Sequence, residues 1–267
     1  MKPFIKYSGA KFCRINELKS LFPQTYNNVF IPFLGGGSFL TAFNNKNIQA
    51  SDINPDIINL FAKLLTSKEE LKSNYEIHHA LLKVGKADYY NQVKKDFNLL
   101  HNPADYLFLT RTCYSGLTRY NSKNEFNVSF HHSRNGIEPV KLFSIIDSWY
   151  ELITVKNKAN FAAEDYTATI ENTKACDFVI ADPPYIGTKG QYQNSSFSFK
   201  LFADILNNLS NRNVQWLICL DHDSDLVKLA LPNLKGRFFS TTPKRSSLPN
   251  LKHKASYKTD TIIVNYL

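Results

Sequence analysis

Cysteine is scarce in this sequence, and its few residues are scattered. Cys13, Cys113, Cys176 and Cys219 lie far apart and form no C-x-x-C pair. This spacing excludes a disulfide framework and the usual zinc sites. We therefore expect reduced, mostly buried thiols in a cytosolic protein.

Long apolar runs are also missing. No segment approaches the length of a membrane span, and the first residues, MKPFIKYSGAK, contain no apolar signal region. The chain has neither an internal repeat nor a low-complexity tract. These absences predict a protein with no membrane partner.

Acidic residues are outnumbered by basic ones. The 267 residues include 32 Lys and Arg but only 23 Asp and Glu, which gives a net charge of +9. The excess is concentrated in three tracts: 1–19, 235–258 and a middle group of Arg111, Arg119, Lys123 and Arg134. This distribution favours a basic groove that binds the phosphates of nucleic acid over a set of solvated lysine faces.

The order of secondary-structure signals predicts an α/β sheet with an interruption. NVFIPF (28–33) predicts a strand that stops at LGGGS, FLTAFNN (39–45) has helical spacing, and NIQASDIN (47–54) predicts a strand ending at Asp52. A helix with Pro55 in its first turn follows. Strand patterns resume at residues 158–166, 177–185, 215–223, 236–242 and 260–267, with a helical pattern at 199–209.

The middle of the chain, from about residue 67 to 155, is helical and aromatic instead. Within it, RYNSKNEFNVSF (119–130) predicts a β-hairpin with its turn near SKNE. His131 and His132 follow this hairpin and are weak candidates for a phosphate contact.

The glycine turn after the first strand is the first candidate site. Gly35, Gly36 and Gly37 allow close backbone approach to a ligand, but they do not form the G-x-G-x-x-G of a pyrophosphate site. Asp52, at the end of the next strand, is placed to accept hydrogen bonds from ribose hydroxyls. The pair predicts an adenosine-containing ligand such as S-adenosylmethionine; the alternative is a structural turn with Asp52 capping a helix.

The second candidate site is DPPY, residues 182–185, directly after the apolar strand FVIA. Two prolines end the strand and stiffen the backbone beyond it. The Asp182 carboxylate and the Pro183 carbonyl can accept two hydrogen bonds from an exocyclic amine, and Tyr185 can stack on a planar base. The stretch predicts methylation of such an amine; the alternative is a proline-rich turn without chemistry.

Other catalytic arrangements are not indicated. The histidines have no ligand spacing, and Asp221 and Asp223 are better interpreted as a polar turn after a strand than as metal ligands. We expect no metal. The polar segment at 187–196, after DPPY, predicts a mobile loop over the base.

Taken in order, six motifs resemble one family. They are KYSGAK (6–11), PFLGGGSF (32–39), SDIN (51–54), RTCYSGLTRYNSKNEFNVSF (111–130), AEDY (163–166) and DPPYIG (182–187). The set is similar to the Dam-type, D12 class DNA adenine-N6 methyltransferases of the alpha arrangement, including restriction-modification members. The resemblance spans nearly the whole chain.

The resemblance implies a fold and a domain organisation. The fold is a Rossmann-like α/β sheet of an S-adenosylmethionine-dependent methyltransferase, with an inserted, mainly helical target-recognition domain that carries a β-hairpin. Residues 1–66 and 156–267 would form the catalytic domain, and residues 67–155 the recognition domain.

The resemblance also implies roles for single residues. The cofactor-binding set is Tyr7, Lys11, Phe33, Gly35, Gly36, Gly37, Asp52, Asp165, Tyr166 and Asp182. The catalytic set is Asp182, Pro183, Pro184 and Tyr185. The DNA-binding set is Ser115, Arg119, Asn121, Lys123, Asn127 and Ser129, in which Arg119 matches a base-reading arginine suited to guanine.

Three departures from the family pattern concern the target and the first motif. Ser115 stands where GATC-specific members commonly have Asn, Ser129 where they have Pro, and Ala10 where Gly is usual. A GATC-like target is therefore only one of the targets that the resemblance allows.

The expected reaction is methyl transfer from S-adenosylmethionine to N6 of an adenine flipped out of duplex DNA. Double-stranded DNA is the expected partner, and a cognate restriction endonuclease is a candidate partner. The expected location is the cytoplasm, in association with the nucleoid, for a protein encoded by a prokaryotic cell or by a phage. The alternatives are methylation of an exocyclic amine in RNA or of a glutamine side chain, and a DNA-binding homologue without activity.

Overall fold

The computed structural model describes residues 1–133, 135–184, 197–220, 224–245 and 257–266. Seven described strands form one sheet in the order β3-β2-β1-β4-β5-β9-β6. Their bounds are β1 Val29–Ile31, β2 Asn47–Asp52, β3 Lys158–Ala163, β4 Phe178–Ala181, β5 Gln215–Leu220, β6 Arg237–Ser240 and β9 Thr261–Val264. Two further strands, β7 (Lys244–Arg245) and β8 (Tyr257–Lys258), pair with each other.

The sheet is mostly parallel. Strands β1 to β5 run in one direction, and β9 lies antiparallel to both β5 and β6. Strands β1, β4 and β9 are buried along their whole length, which explains why they are continuously apolar in sequence. The predicted Rossmann-like sheet is confirmed, and each predicted strand is present within a few residues of its expected bounds.

The order of the strands reverses between β1 and β4. The chain passes from β1 outward to β2 and β3, then returns to the other side of β1 with β4 and β5. Ligands of open α/β sheets bind at such a switch point, outside the carboxyl ends of the strands. The fold therefore directs attention to the ends of β1, β2 and β4.

Helices cover both faces of the sheet and build the middle segment. Their bounds are α1 Ile15–Lys19, α2 Pro55–Leu100, α3 Pro103–Thr112, α4 Pro139–Glu151, α5 Tyr166–Glu171, α6 Phe199–Asn211 and α7 Ser224–Ala230. Helix α2 begins as predicted, with Pro55 in its first turn and the Asn54 side chain accepting from the Asp56 N–H at 3.0 Å. The segment after the glycine turn is a short 3₁₀ helix, Ser38–Ala42, rather than an α-helix.

The boundaries proposed for the recognition domain lie near irregular backbone. Helix α2 has non-helical dihedral angles at Ser67 and Lys86, and a π-helical turn spans Leu152–Lys156. The hydrophobic core nevertheless continues across both boundaries, because Trp149 packs on Phe61 with ring centroids 5.9 Å apart. The division at residues 66 and 156 stays a prediction.

The predicted hairpin is present in an irregular form. Antiparallel bridges join Tyr120 to Phe126 and Cys113 to Phe130, and the turn is closed by the Asn124 N–H on the Asn121 carbonyl at 3.0 Å. No regular strand forms within 111–130, where every residue is described. The pairing direction was predicted correctly, but its extent was not.

The structure also tests the expectations of buried thiols and of a chain without membrane spans. Cys113 and Cys219 are buried, whereas Cys13 and Cys176 are exposed, so the expectation of mostly buried thiols holds for two of the four. Within the described ranges, the helices are all too short or too polar to cross a bilayer.

Candidate active site

A cavity of about 220 Å³ opens at the carboxyl ends of β1, β2 and β4. It contains most of the residues predicted to bind cofactor and the described part of DPPY. The lining residues are 7–10, 32–36, Ser38, Phe39, Asp52, Ile53, 165–167, 182–184, Phe197, Ser198 and Leu201. Residues between positions 7 and 201 thus form one site, as the sheet topology requires.

The glycine turn forms one wall of this cavity and packs directly on Tyr7. Gly35 has a φ of +47°, in the left-handed region that favours glycine. A Cβ atom added to Gly36 would lie 2.8 Å from Cβ of Tyr7, too close for any real side chain. The resemblance had placed Tyr7 at the cofactor site, and the structure places it against the turn and on the cavity.

Asp52 joins the end of β2 to the glycine turn. Its Oδ2 accepts a hydrogen bond from the Gly35 N–H at 2.8 Å, and its Oδ1 accepts one from the Asn54 N–H at 3.0 Å. Burial raises the pKa of Asp52, and the two backbone N–H groups oppose that rise. Each carboxylate oxygen keeps a second lone-pair direction, so Asp52 can still accept hydrogen bonds from a diol in the cavity.

An aromatic cluster also lines the cavity. The rings of Phe33 and Tyr166 stack with centroids 5.2 Å apart and planes inclined by 26°, and Phe197 packs edge-on against Phe33. Asp165 begins α5, where its Oδ1 accepts from the Thr167 N–H at 3.0 Å and from the Thr167 hydroxyl at 2.7 Å. A flat, apolar surface beside a carboxylate is suited to a purine ring.

Asp182 lies on the same cavity and forms a close ion pair. The Lys11 Nζ is 2.9 Å from both Asp182 carboxylate oxygens and also donates to the Gly9 carbonyl at 3.2 Å. The Lys11 side chain is 5% exposed and the Asp182 side chain 18%. Sequence reasoning assigned Lys11 to the cofactor through the family motif and did not predict this contact. Tyr185 and the 187–196 loop lie outside the described residues.

The basic tracts are only partly on the surface. Lys11, Arg14 and Arg111 are all buried. Arg14 pairs with Asp260 at 2.5 Å, while Arg111 donates to the backbone carbonyls of Phe4 and Pro3. Burial lowers the pKa of Arg111 to about 10. The expectation that these three cations line a groove for phosphate is wrong, because each neutralises or caps buried polar groups of the fold instead.

The predicted DNA-binding residues are grouped on the hairpin. Arg119, Lys123, Ser115 and Ser129 are exposed. Arg119 donates from Nε to the Asn127 Oδ1 at 3.0 Å, so Asn127 orients the arginine.

Asn121 has a structural contact inside the same hairpin. Its Oδ1 accepts from the backbone N–H groups of Lys123 and Glu125, and this closes the turn. The structure thus adds a structural role to a residue that the resemblance assigned to DNA.

Two features of the site have no sequence signal of their own. Lys11 and Asp182 are 171 positions apart, and Tyr120 of the hairpin donates a buried hydrogen bond of 2.6 Å to Asp56, 64 positions away. Both contacts depend on how the sheet brings distant segments together. Within the described segments, no cluster of three or more potential metal ligands is formed.

Comparison with known proteins decides the family. The model of the D12 class N6 adenine-specific DNA methyltransferases matches residues 7–244, which is most of the chain. The chain belongs to this family. It is an adenine-specific DNA methyltransferase that uses S-adenosylmethionine, and the alternatives of RNA and glutamine methylation are not supported.

Curated relatives of the methyltransferase agree with this assignment. The DNA adenine methylase of Haemophilus influenzae is 26% identical over 85% of this chain and 82% of its own length. The Type II methyltransferase M1.LlaDCHI of Lactococcus lactis subsp. cremoris is 28% identical over 76% of this chain and 72% of its own. Among solved structures, the rRNA methyltransferase aviRa of Streptomyces viridochromogenes aligns over 95% of this chain and 82% of its own, with 13% identity and a TM-score of 0.39.

Proposed function

We propose that Asp182 and the Pro183 carbonyl hold the N6 amine of a flipped adenine, and that the glycine turn, Asp52 and the rings of Phe33 and Tyr166 hold S-adenosylmethionine. One observation carries this proposal: Asp52 and Asp182, at the ends of separate strands, line the same cavity. Asp52 binds the methyl donor, and Asp182 binds the methyl acceptor. Two ligands with adjoining sites can then react in line.

The residues present fit S-adenosylmethionine. Asp52 has remaining acceptor capacity for the ribose hydroxyls, and the stacked rings of Phe33 and Tyr166 line the cavity with an apolar surface on which an adenine ring can pack. Asp165, the N-cap of α5, adds an acceptor beside these rings. When bound, S-adenosylmethionine supplies an electrophilic methyl group on a sulfonium.

The amine needs help because its lone pair is delocalised into the purine ring. Two acceptors fixed by the strand end and the prolines favour a pyramidal nitrogen whose lone pair is directed away from them. Lys11 holds both oxygens of Asp182 at 2.9 Å, and thereby fixes the orientation of the carboxylate. No base has to remove a proton before the attack, since the methylated amine is acidic and loses its proton afterwards.

Stacking of Tyr185 on the base and the loop expected at 187–196 stay predictions from the sequence, because these residues lie outside the described part of the chain.

The hairpin is proposed to read the target. Arg119 is exposed and held by Asn127, and a bidentate guanidinium is best matched to guanine. Lys123 and Ser129 are exposed on the same segment and are placed to contact the backbone or bases. Residues 67–155 are proposed to act as the recognition domain, and a GATC-like sequence is one candidate target.

The cellular setting is also proposed. Relatives come from bacteria and from a phage, and one of them is a Type II methyltransferase. We propose action on double-stranded DNA in the cytoplasm of a prokaryotic cell, with a cognate restriction endonuclease as a candidate partner.

One experiment tests the catalytic proposal. Asp182→Ala should lower methyl transfer from labelled S-adenosylmethionine by about 10³-fold, because it removes the side-chain acceptor of the amine. Binding of S-adenosylhomocysteine and of DNA should stay within a few-fold of the unchanged protein. Near-normal turnover by the variant would contradict the role of Asp182.

A second experiment identifies the target. Methylome sequencing of DNA from cells that express the protein should show N6-methyladenine in one sequence context. Modified adenine in every context would contradict site-specific recognition by the hairpin.

A further inference from the structure

A buried hydrogen-bond network joins the hairpin to the cofactor acid. The Tyr120 hydroxyl donates to the Asp56 Oδ2 at 2.6 Å and accepts from the Asn54 Nδ2 at 3.3 Å. Asn54 in turn donates its backbone N–H to the Asp52 Oδ1 at 3.0 Å. Only one residue thus stands between the hairpin hydroxyl and the proposed ribose-binding carboxylate.

The network is well shielded from solvent. Tyr120 is 7% exposed, Asn54 8% and Asp56 2%. Asp56 also pairs through its other oxygen with the His101 Nδ1 at 2.8 Å. Polar groups buried in this way are costly to leave unpaired, so any movement of one partner is resisted by the others.

Tyr120 is the neighbour of Arg119, the proposed base reader. Its ring packs edge-on against Phe126 across the hairpin, with centroids 5.9 Å apart. The residue therefore has two contacts of different kinds: its ring belongs to the hairpin, and its hydroxyl to the turn after β2. A displacement of the hairpin by DNA must strain the hydroxyl contacts or move that turn.

We infer that Tyr120 is a positioning residue that couples target recognition to cofactor binding. Its hydroxyl ties the hairpin that carries Arg119 to the turn that carries Asp52. Engagement of DNA by the hairpin then changes the affinity of the cofactor site, and the effect is reciprocal by linkage. This inference rests on the proposed function of the two sites.

The hairpin offers a matched control. The Tyr90 hydroxyl, also buried, donates to the Val128 carbonyl of the hairpin at 2.9 Å but does not lie on the turn that carries Asp52. Tyr90→Phe and Tyr120→Phe therefore each remove one buried hydroxyl that anchors the hairpin. Only the second removes the connection to the cofactor acid.

The test measures the affinity for S-adenosylhomocysteine by calorimetry, with and without a short duplex that carries the mapped target. The ratio of the two affinities is the coupling factor, expected to be about ten-fold in the unchanged protein. Tyr120→Phe should lower it to about two-fold, whereas Tyr90→Phe should leave it within a factor of about two, since it spares the Asn54 contact. Thermal unfolding of both variants should shift by similar amounts.

A second variant keeps the inference testable if Tyr120→Phe folds poorly. Asn54→Ser retains a good cap for α2 and removes the donor to Tyr120, so it should also lower the coupling factor. A factor near one in the unchanged protein, an unchanged factor in Tyr120→Phe, or equal losses in both tyrosine variants would overturn the coupling while leaving the proposed function intact. Failure of the unchanged protein to bind either ligand would contradict the proposed function and the coupling with it.

Discussion

The cofactor cavity and the hairpin are built in different ways. At the cavity, backbone groups fix the functional side chain: two N–H donors hold Asp52, and the glycine turn packs on Tyr7. At the hairpin, side chains fix the backbone: both the carbonyl and the N–H of Phe126 are bonded to Asn98, and regular strand pairing is replaced by two isolated bridges. A cavity whose functional side chains are fixed by backbone groups tolerates few substitutions, whereas exposed side chains that contact DNA can be replaced one at a time. The residues that carry out methyl transfer are therefore constrained, and the residues that select the target sequence can vary.

Outside the DPPY motif, the largest effect is expected at Lys11, a residue fixed by a side-chain ion pair rather than by backbone groups. Lys11→Met should lower the maximal rate of methyl transfer by about 10²-fold, because Asp182 loses the partner that orients both of its oxygens. Affinity for S-adenosylhomocysteine should change by less than about three-fold, since Lys11 is not among the residues that line the cavity. Single-turnover rates and calorimetry give the two quantities separately.

A matched control is Lys68→Met, which removes a partly exposed cation paired with Asp147 at 2.8 Å. Surface pairs contribute little, so neither quantity should change. If Lys11→Met instead weakened cofactor binding at an unchanged rate, Lys11 would be a cofactor ligand, as the family motif implies, and not a positioning residue for Asp182.

A smaller effect is expected for recognition at Arg119. Arg119→Ala should weaken binding to the cognate duplex by about 10- to 100-fold and relax preference at one base pair, because a bidentate base contact is lost. Lys123→Ala, on the same exposed hairpin, should weaken binding to all sequences equally and reduce the salt dependence. Titrations against cognate and single-substituted duplexes at two salt concentrations distinguish these outcomes. Equal loss on every sequence would make Arg119 a phosphate contact.

The centre of the sheet could be predicted because β1, β4, β5 and β9 are buried along almost their whole length and are therefore nearly continuous apolar runs in sequence. The segments FVIA and QWLICL are typical of buried strands, and Asp52 and Asp182 indicated where β2 and β4 end. Since parallel strands end at one edge, the sequence was also enough to bring these two carboxylates to one site.

The errors and omissions have a common physical cause. Whether a cation is buried depends on partners that are distant in sequence: Arg14 is neutralised by Asp260, and Arg111 caps carbonyls at the N-terminus. A count of charge along the chain cannot distinguish these from the exposed Arg119. The break in α2 at Lys86 directly follows Gly85, whereas the break at Ser67 has no proline or glycine beside it.

The smallest expected effect tests whether a substitution in the hairpin can change stability without changing cofactor binding at the cavity. Ser115 is exposed and has a φ of +56°, a left-handed conformation that Asn adopts more readily than Ser. Ser115→Asn should raise the free energy of unfolding by up to about 1 kcal/mol, or roughly 2 °C in melting temperature. Ser122→Asn, also exposed on the hairpin but without a positive φ, should have no such effect. The affinity for S-adenosylhomocysteine without DNA should be unchanged in both variants; a change in Ser115→Asn alone would show that the cofactor cavity is not independent of the hairpin backbone at this point.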